Sequence, residues 1–231
     1  MSKMNLHKYI TALALKRPKD TVLVEADEQG KVRREITYSQ LKDSIERVGT
    51  WLKKQELNEG DAIALAMPNS VETLLLSWTA WSMGIITVPL DVKGDTKAVH
   101  DYKLQAAKVK LVVTKDVLSL DNLPNAEEQD WKQDDTHHAL TLFTSGTTAK
   151  PKGAVLSLAN LVANAQDIKD WFKITALDRF MVVLPLHHIN STSFCMATLL
   201  AGASIAVVPK YSNSLFWKQA ASVQATFTSI V

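Results

Sequence analysis

Leu142-Phe143-Thr144-Ser145-Gly146-Thr147-Thr148-Ala149-Lys150-Pro151-Lys152-Gly153 is the stretch on which the reading of this chain turns. From Thr144 to Gly153 it places four hydroxyls, two glycines and two lysines in ten residues, directly after an apolar run. Hydroxyls and free backbone N–H groups can wrap phosphate oxygens, and lysine adds a point charge. The spacing is not that of a Walker loop. Pro151 stands five residues after Gly146, where that motif has its second glycine. No dinucleotide fingerprint is present either.

Outward from this loop the chain alternates short apolar strands with helices. Leu140–Phe143 reads as a strand before it and Ala154–Leu156 as a strand after it. A helix with Leu161, Ala165, Ile168 and Phe172 on one face follows. Upstream, the pattern predicts a helix over 6–15 and strands over 21–26 and 32–36. Thr37 and Gln40 stand at capping-box spacing ahead of the stripe Leu41, Ile45, Val48, Leu52. Strands over 62–67, 85–88 and 111–114 alternate with helices over 70–83, where Asn69 is the expected cap, and 96–107. Downstream, strands over 180–184 and 205–208 flank a helix over 192–201. Residues 121–135 read as a surface excursion, and 225–231 as a last strand. Such βαβ alternation means α/β architecture with buried, largely parallel sheets. Ligands then sit at the carboxyl ends of strands.

Composition limits the function. Lys+Arg 26 against Asp+Glu 24 leaves a net charge of +2, which argues against a broad basic face for nucleic acid. A hydrophobic fraction of 46% with 22% charged residues is that of a folded chain. The single cysteine, Cys195, excludes an internal disulfide framework and fits a reducing cytoplasm. The longest uncharged stretches are broken by Gly84 and Pro89, or by His187, His188 and Asn190, so no membrane span is expected. Trp78 and Trp81, spaced i, i+3, are expected to pack in a core, and Cys195 to be buried and inert.

The ordered string Thr-Ser-Gly-Thr-Thr followed by Pro-Lys-Gly resembles the signature loop of the AMP-forming adenylating enzymes. This ANL superfamily comprises acyl- and aryl-CoA synthetases, peptide-synthetase adenylation domains and firefly luciferase. Other segments resemble the family in order: Glu35–Leu41, Gly60–Ser70, Gly84 with Val88-Pro89-Leu90-Asp91, and Pro185-Leu186-His187-His188-Ile189-Asn190. Ala149 departs from the pattern, which usually has Gly there. In a left-handed conformation an alanine would cost about 1–2 kcal/mol.

The resemblance implies an acid–CoA ligase: a carboxylate attacks the α-phosphate of ATP, pyrophosphate leaves, and coenzyme A takes the acyl group. It assigns Thr144, Ser145, Gly146, Thr147, Thr148 and Lys152 to the ATP phosphates, and Thr144 also to Mg²⁺. Lys150 falls at a variable position and is expected in solvent. His188 and Asn190 are placed beside the acid, and Lys210 toward CoA. Ser191 stands where relatives often carry Gly, which would narrow the acyl pocket or alter the turn. The implied partners are a small-molecule carboxylic acid, ATP and CoA. The family's adenylation lysine is absent from these residues, so no catalytic residue is assigned. The resemblance also implies an N-terminal portion of a longer enzyme, with a second sheet left incomplete and prone to self-association. In that division residues 59–211 form the αβ subdomain with the phosphate loop. Residues 1–58 and 212–231 belong to the second subdomain. Two other readings remain: an adenylation domain that loads a carrier protein, and a catalytically inactive nucleotide-binding remnant.

Overall fold

A computed structural model describes residues 4–132, 134–144 and 150–230. The elements follow in order α1 (Leu6–Lys16), β1 (Thr21–Ala26), β2 (Val32–Thr37), α2 (Tyr38–Lys54), β3 (Ala62–Ala66), α3 (Val71–Ser82), β4 (Ile86–Pro89), α4 (Lys97–Ala106) and β5 (Val109–Thr114). There follow β6 (His138–Thr144), β7 (Lys152–Ser157), α5 (Leu158–Phe172), β8 (Arg179–Val182), α6 (Ile189–Leu200), β9 (Ser204–Val207), α7 (Phe216–Ser222) and β10 (Phe227–Thr228). None of the described helices is long and apolar enough to cross a membrane.

The chain divides into two units. The first holds residues up to 9, 43–67 and 74–160. Its sheet has the order β5-β3-β4-β6-β7, parallel except for β7, which runs antiparallel to β6. Period-two alternation gives β3 two buried faces. Ile63 and Leu65 join Val48, Leu52, Leu76 and Ala80 in one core, whereas Ala62 and Ala64 pack with Val88, Leu90, Leu104 and Phe143 on the other. Trp78 and Trp81 are buried as expected, and the Trp81 indole donates to Thr87 Oγ1 at 2.8 Å.

The second unit holds residues 10–42, 68–73 and 161 onward. Its sheet has the order β10-β8-β9-β1-β2, parallel except for the β1–β2 hairpin. Val24, Met181, Val183, Ala206 and Val208 form its core. The capping box opens α2 as the sequence predicts. Gln40 N donates to Thr37 Oγ1 at 3.3 Å, and Thr37 N donates to Gln40 Oε1 at 2.9 Å.

Three expectations need correction. The subdomain boundaries at 58 and 211 are replaced, because β8 and β9 pair with β1 and not with the phosphate-loop sheet. Leu23, Val24 and Glu25 pair with Ile205, Ala206 and Val207. Asn69 does not cap α3. Ser70 accepts from Thr73 N at 3.3 Å, while Asn69 accepts from Leu186 N at 2.8 Å and donates to Leu184 O at 3.0 Å. The excursion at 121–135 runs over the surface as expected, and is tied to α2: Arg47 donates to Leu123 O and Pro124 O, and Glu127 N donates to Thr50 Oγ1. The final strand covers only Phe227–Thr228 and follows a helix, α7, that the pattern did not reveal.

Candidate functional site

The phosphate-loop motif occupies the β6–β7 hairpin of the first unit. Since β6 is parallel to β4, the hairpin leaves the sheet at the carboxyl end of the parallel strands, where the fold class locates ligands. Ser145, Gly146, Thr147, Thr148 and Ala149 lie outside the described residues. The two stems are described. Thr144 and Lys152 form the last register pair, so their side chains share one face of the hairpin. Thr144 Oγ1 donates to Lys152 O at a long 3.4 Å, and both side chains are exposed. Lys152 has no ion-pair partner among the described residues. A hard hydroxyl oxygen and an uncompensated ammonium thus stand side by side at a strand terminus.

The neighbouring pair, Phe143 and Gly153, faces the opposite side. There the Phe143 ring meets α4. Tyr102 packs edge-on at 6.4 Å between centroids, and Lys103 Nζ lies 5.9 Å from the ring centre. Lys103 is buried and ion-paired to Asp95, which comes from the β4–α4 connection. His100 Nε2 lies 3.6 Å from the same carboxylate and 3.0 Å from Asp91 O. Lys150 is exposed, as expected, but its ammonium is seated 5.6 Å above the Tyr102 ring. An open cleft of about 840 Å³ borders this side, lined by Tyr102, Phe143, Lys150, Pro151 and Val155 among others. Sequence reading missed Asp95, Tyr102 and Lys103. The signal available was the i, i+4, i+8 spacing of Val99, Lys103 and Ala107, which puts Lys103 on the inner stripe of α4.

The remaining candidates lie in the second unit, after adjacent parallel strands. The turn 183–188 follows β8, and Pro209-Lys210 follows β9, both at the carboxyl ends. His188 is the N-cap residue of α6, exposed, and makes no side-chain capping bond. Its ring centroid is 4.4 Å from that of His187. Asn190 is half-buried, and its Oδ1 is a buried acceptor without a partner among the described residues. Ser191 is buried and donates to Leu184 O at 3.0 Å, which ties the turn to the first residues of α6. Lys210 is exposed, and Gln219 Nε2 reaches its carbonyl at 3.4 Å. The structure therefore pairs Thr144 with Lys152, and groups His188 and Asn190 at one helix start. It keeps Lys210 on a separate loop. Burial pushes the Cys195 thiol far above its ordinary range, which leaves it inert as expected.

Relatives bear on this arrangement. The chain is 24% identical to a probable CoA ligase of Humulus lupulus over 231 residues, covering 85% of this chain and 44% of that protein. It is 26% identical to the sulfoacetate–CoA ligase of Cupriavidus necator over 225 residues, again with 85% and 44% covered. The chain thus spans about half the length of the curated relatives it matches. Among solved structures, O-succinylbenzoate coenzyme A synthetase of Bacillus subtilis in complex with AMP superposes with a TM-score of 0.84. It shares 21% identity, with 96% of this chain and 61% of that one covered. The N-terminal domain of FACL13 from Mycobacterium tuberculosis gives 0.83 at 17% identity, covering 97% and 62%. Both likenesses establish the fold: two mostly parallel sheets with helices. The family described as AMP-binding enzyme matches residues 11–231, which takes in the hairpin, the β8–α6 turn and the strands that carry them, and this chain belongs to it.

Proposed function

We propose that this chain is the N-terminal, phosphate-binding portion of an AMP-forming carboxylic acid–CoA ligase. The observation that carries the reading is the Thr144–Lys152 pair at the carboxyl end of β6, in a chain of the AMP-binding family. The first half-reaction sets one anion against another: a carboxylate attacks the α-phosphate of ATP and pyrophosphate leaves. Positive charge near the phosphates lowers that barrier. Lys152 would supply it, as an ammonium with no carboxylate to neutralise it among the described residues.

Thr144 Oγ1 fits Mg²⁺, which prefers oxygen ligands and takes much of its shell from water and substrate phosphates. The described residues hold no cluster of three acidic, histidine or cysteine side chains that could bind a metal by itself. Mg²⁺ held by phosphates beside Thr144 would draw negative charge off the transferring group. His188 and the unpartnered Asn190 Oδ1 would face the acid or its adenylate. Lys210 would meet CoA. No nucleophilic side chain is needed, since substrate carboxylate and thiol do the attacking.

The carrier-protein alternative shares the first half-reaction and differs in the acceptor. The two curated relatives described above, both named as CoA ligases, support CoA. A cytoplasmic setting goes with the same reading, supported by a lone, buried cysteine. The test is titration calorimetry of the chain with MgATP and with pyrophosphate. Saturable binding of either, weakened in Lys152→Ala, supports the reading. Absence of binding to both in the wild-type chain rejects it, together with the nucleotide-binding remnant.

A further inference from the structure

We propose that the Asp95–Lys103 ion pair and Tyr102 are positioning residues for the phosphate hairpin, acting through the Phe143 ring; this rests on the nucleotide-binding reading above. Lys103 is the starting observation. It is only 7% exposed, on a helix whose task of covering a sheet needs apolar side chains alone. A buried ammonium is tolerated only when paired, and an apolar residue of similar volume would often serve stability as well or better. Its presence calls for a further role, and its surroundings supply one. The ammonium is anchored by Asp95 and lies near the Phe143 ring, with Tyr102 packed against the same ring.

The Phe143 ring lies across its register partner. A Cβ built on Gly153 would stand 3.2 Å from Phe143 Cε1 and 3.2 Å from Thr141 Cγ2. The ring therefore sets how closely the two stems approach at the pair immediately before Thr144 and Lys152. The returning stem is held a second time, because Lys150 rests over Tyr102. One turn of α4 thus grips both stems from the face opposite Thr144 and Lys152. A rotation of Phe143 would be passed through the backbone of residues 143 and 153 to the phosphate-facing pair.

The experiment uses the whole chain. Hydrogen exchange is followed over residues 141–144 and 150–157, and MgATP affinity is measured in parallel for Lys103→Met, Lys103→Arg and Tyr102→Leu. The expected result is about 10-fold faster exchange confined to the hairpin in Lys103→Met and Tyr102→Leu, with β3 and β5 unchanged. Displacement of a positioned group of this kind should weaken MgATP binding roughly 5- to 20-fold. Lys103→Arg keeps charge and reach and should restore both. Should Lys103→Met fold poorly because Asp95 is stranded, Asp95→Asn combined with Lys103→Met removes both charges and carries the same expectation. Unchanged hairpin exchange, acceleration spread evenly over the first unit, or failure of arginine to rescue would each overturn the proposal. If the wild-type chain binds no ATP yet its hairpin responds selectively, the functional reading falls and the positioning role stands.

Discussion

Replacing Lys152 or Lys150 by alanine separates two lysines that look alike in sequence. Lys152 shares a hairpin face with Thr144 and has no acidic partner among the described residues. A hydrogen bond from its ammonium to a phosphate oxygen is charge-assisted, worth roughly 1.5–3 kcal/mol. At 1.36 kcal/mol per factor of ten, Lys152→Ala should weaken MgATP binding about 10- to 150-fold. Lys150 is engaged differently, over the Tyr102 ring at 5.6 Å. An exposed cation–π contact contributes about 0.5–1 kcal/mol, so Lys150→Ala should cost about 2- to 5-fold even if all of it is transmitted to the hairpin. Titration calorimetry at two salt concentrations measures both. The Lys152 effect should shrink at about 0.5 M salt, where exposed charges are strongly screened. Equal losses for the two variants would show that the Lys152 ammonium is not the one facing phosphate. No loss in either would make the hairpin a scaffold without nucleotide chemistry.

Thr144→Val keeps the shape and deletes the hydroxyl, so its defect should appear as a raised Mg²⁺ requirement in the same titrations. Gly153→Val should press on Phe143 and Thr141; overpacking of this kind costs about 1–3 kcal/mol and should lower the urea midpoint of the first unit, whereas an unchanged midpoint would mean the ring moves aside freely. The Asp178 carboxyl sits below its usual range, chiefly because Thr175 N donates to it, with Thr175 and Thr226 hydroxyls adding to this. Its folded pKa is depressed, so the stability it contributes is present above about pH 4 and lost as pH falls through the folded value; Asp178→Asn should flatten that acid limb of the urea midpoint. The exposed edge strand β7, with Val155 on its surface, should promote self-association of the isolated chain. A monodisperse monomer in light scattering would count against it.

Much of this could be read from the residues because local chemistry carried it. The capping box at Thr37 and Gln40 needs only four consecutive residues, and it formed as expected. The glycine stops at Gly84 and Gly202 likewise answer to a local demand, both being left-handed at φ 75° and 68°. Strand pairing is another matter. β9 and β4 have the same apolar texture, and periodicity reports that a strand is buried without saying beside which partner. The subdomain boundaries failed for that reason. Asn69 failed similarly: an asparagine before a helix is a good local cap, but the backbone at Leu184 and Leu186 outbid the helix for its amide. At the site, hydroxyls and lysines were visible as chemistry. The ring and ion pair behind them went unread, because a lysine on a charged helix ordinarily faces solvent even where, as at Lys103, its spacing with Val99 and Ala107 falls on the inner stripe.

The order in which the two sheets draw on the chain has a consequence during synthesis. β1 cannot acquire its parallel neighbour until β9 has been made, and Leu23 and Ile205 are 205 − 23 = 182 residues apart. At a ribosomal rate of about 5–20 residues per second, the β1–β2 hairpin waits roughly 9–36 s with one open edge. The strands of the first unit, in contrast, all lie between Ala62 and Ser157 and can assemble while that hairpin is still unpaired. The nascent chain therefore carries a vulnerable strand edge at β1 until Ile205 has been made. Chaperone dependence should be set by that edge and not by the phosphate hairpin.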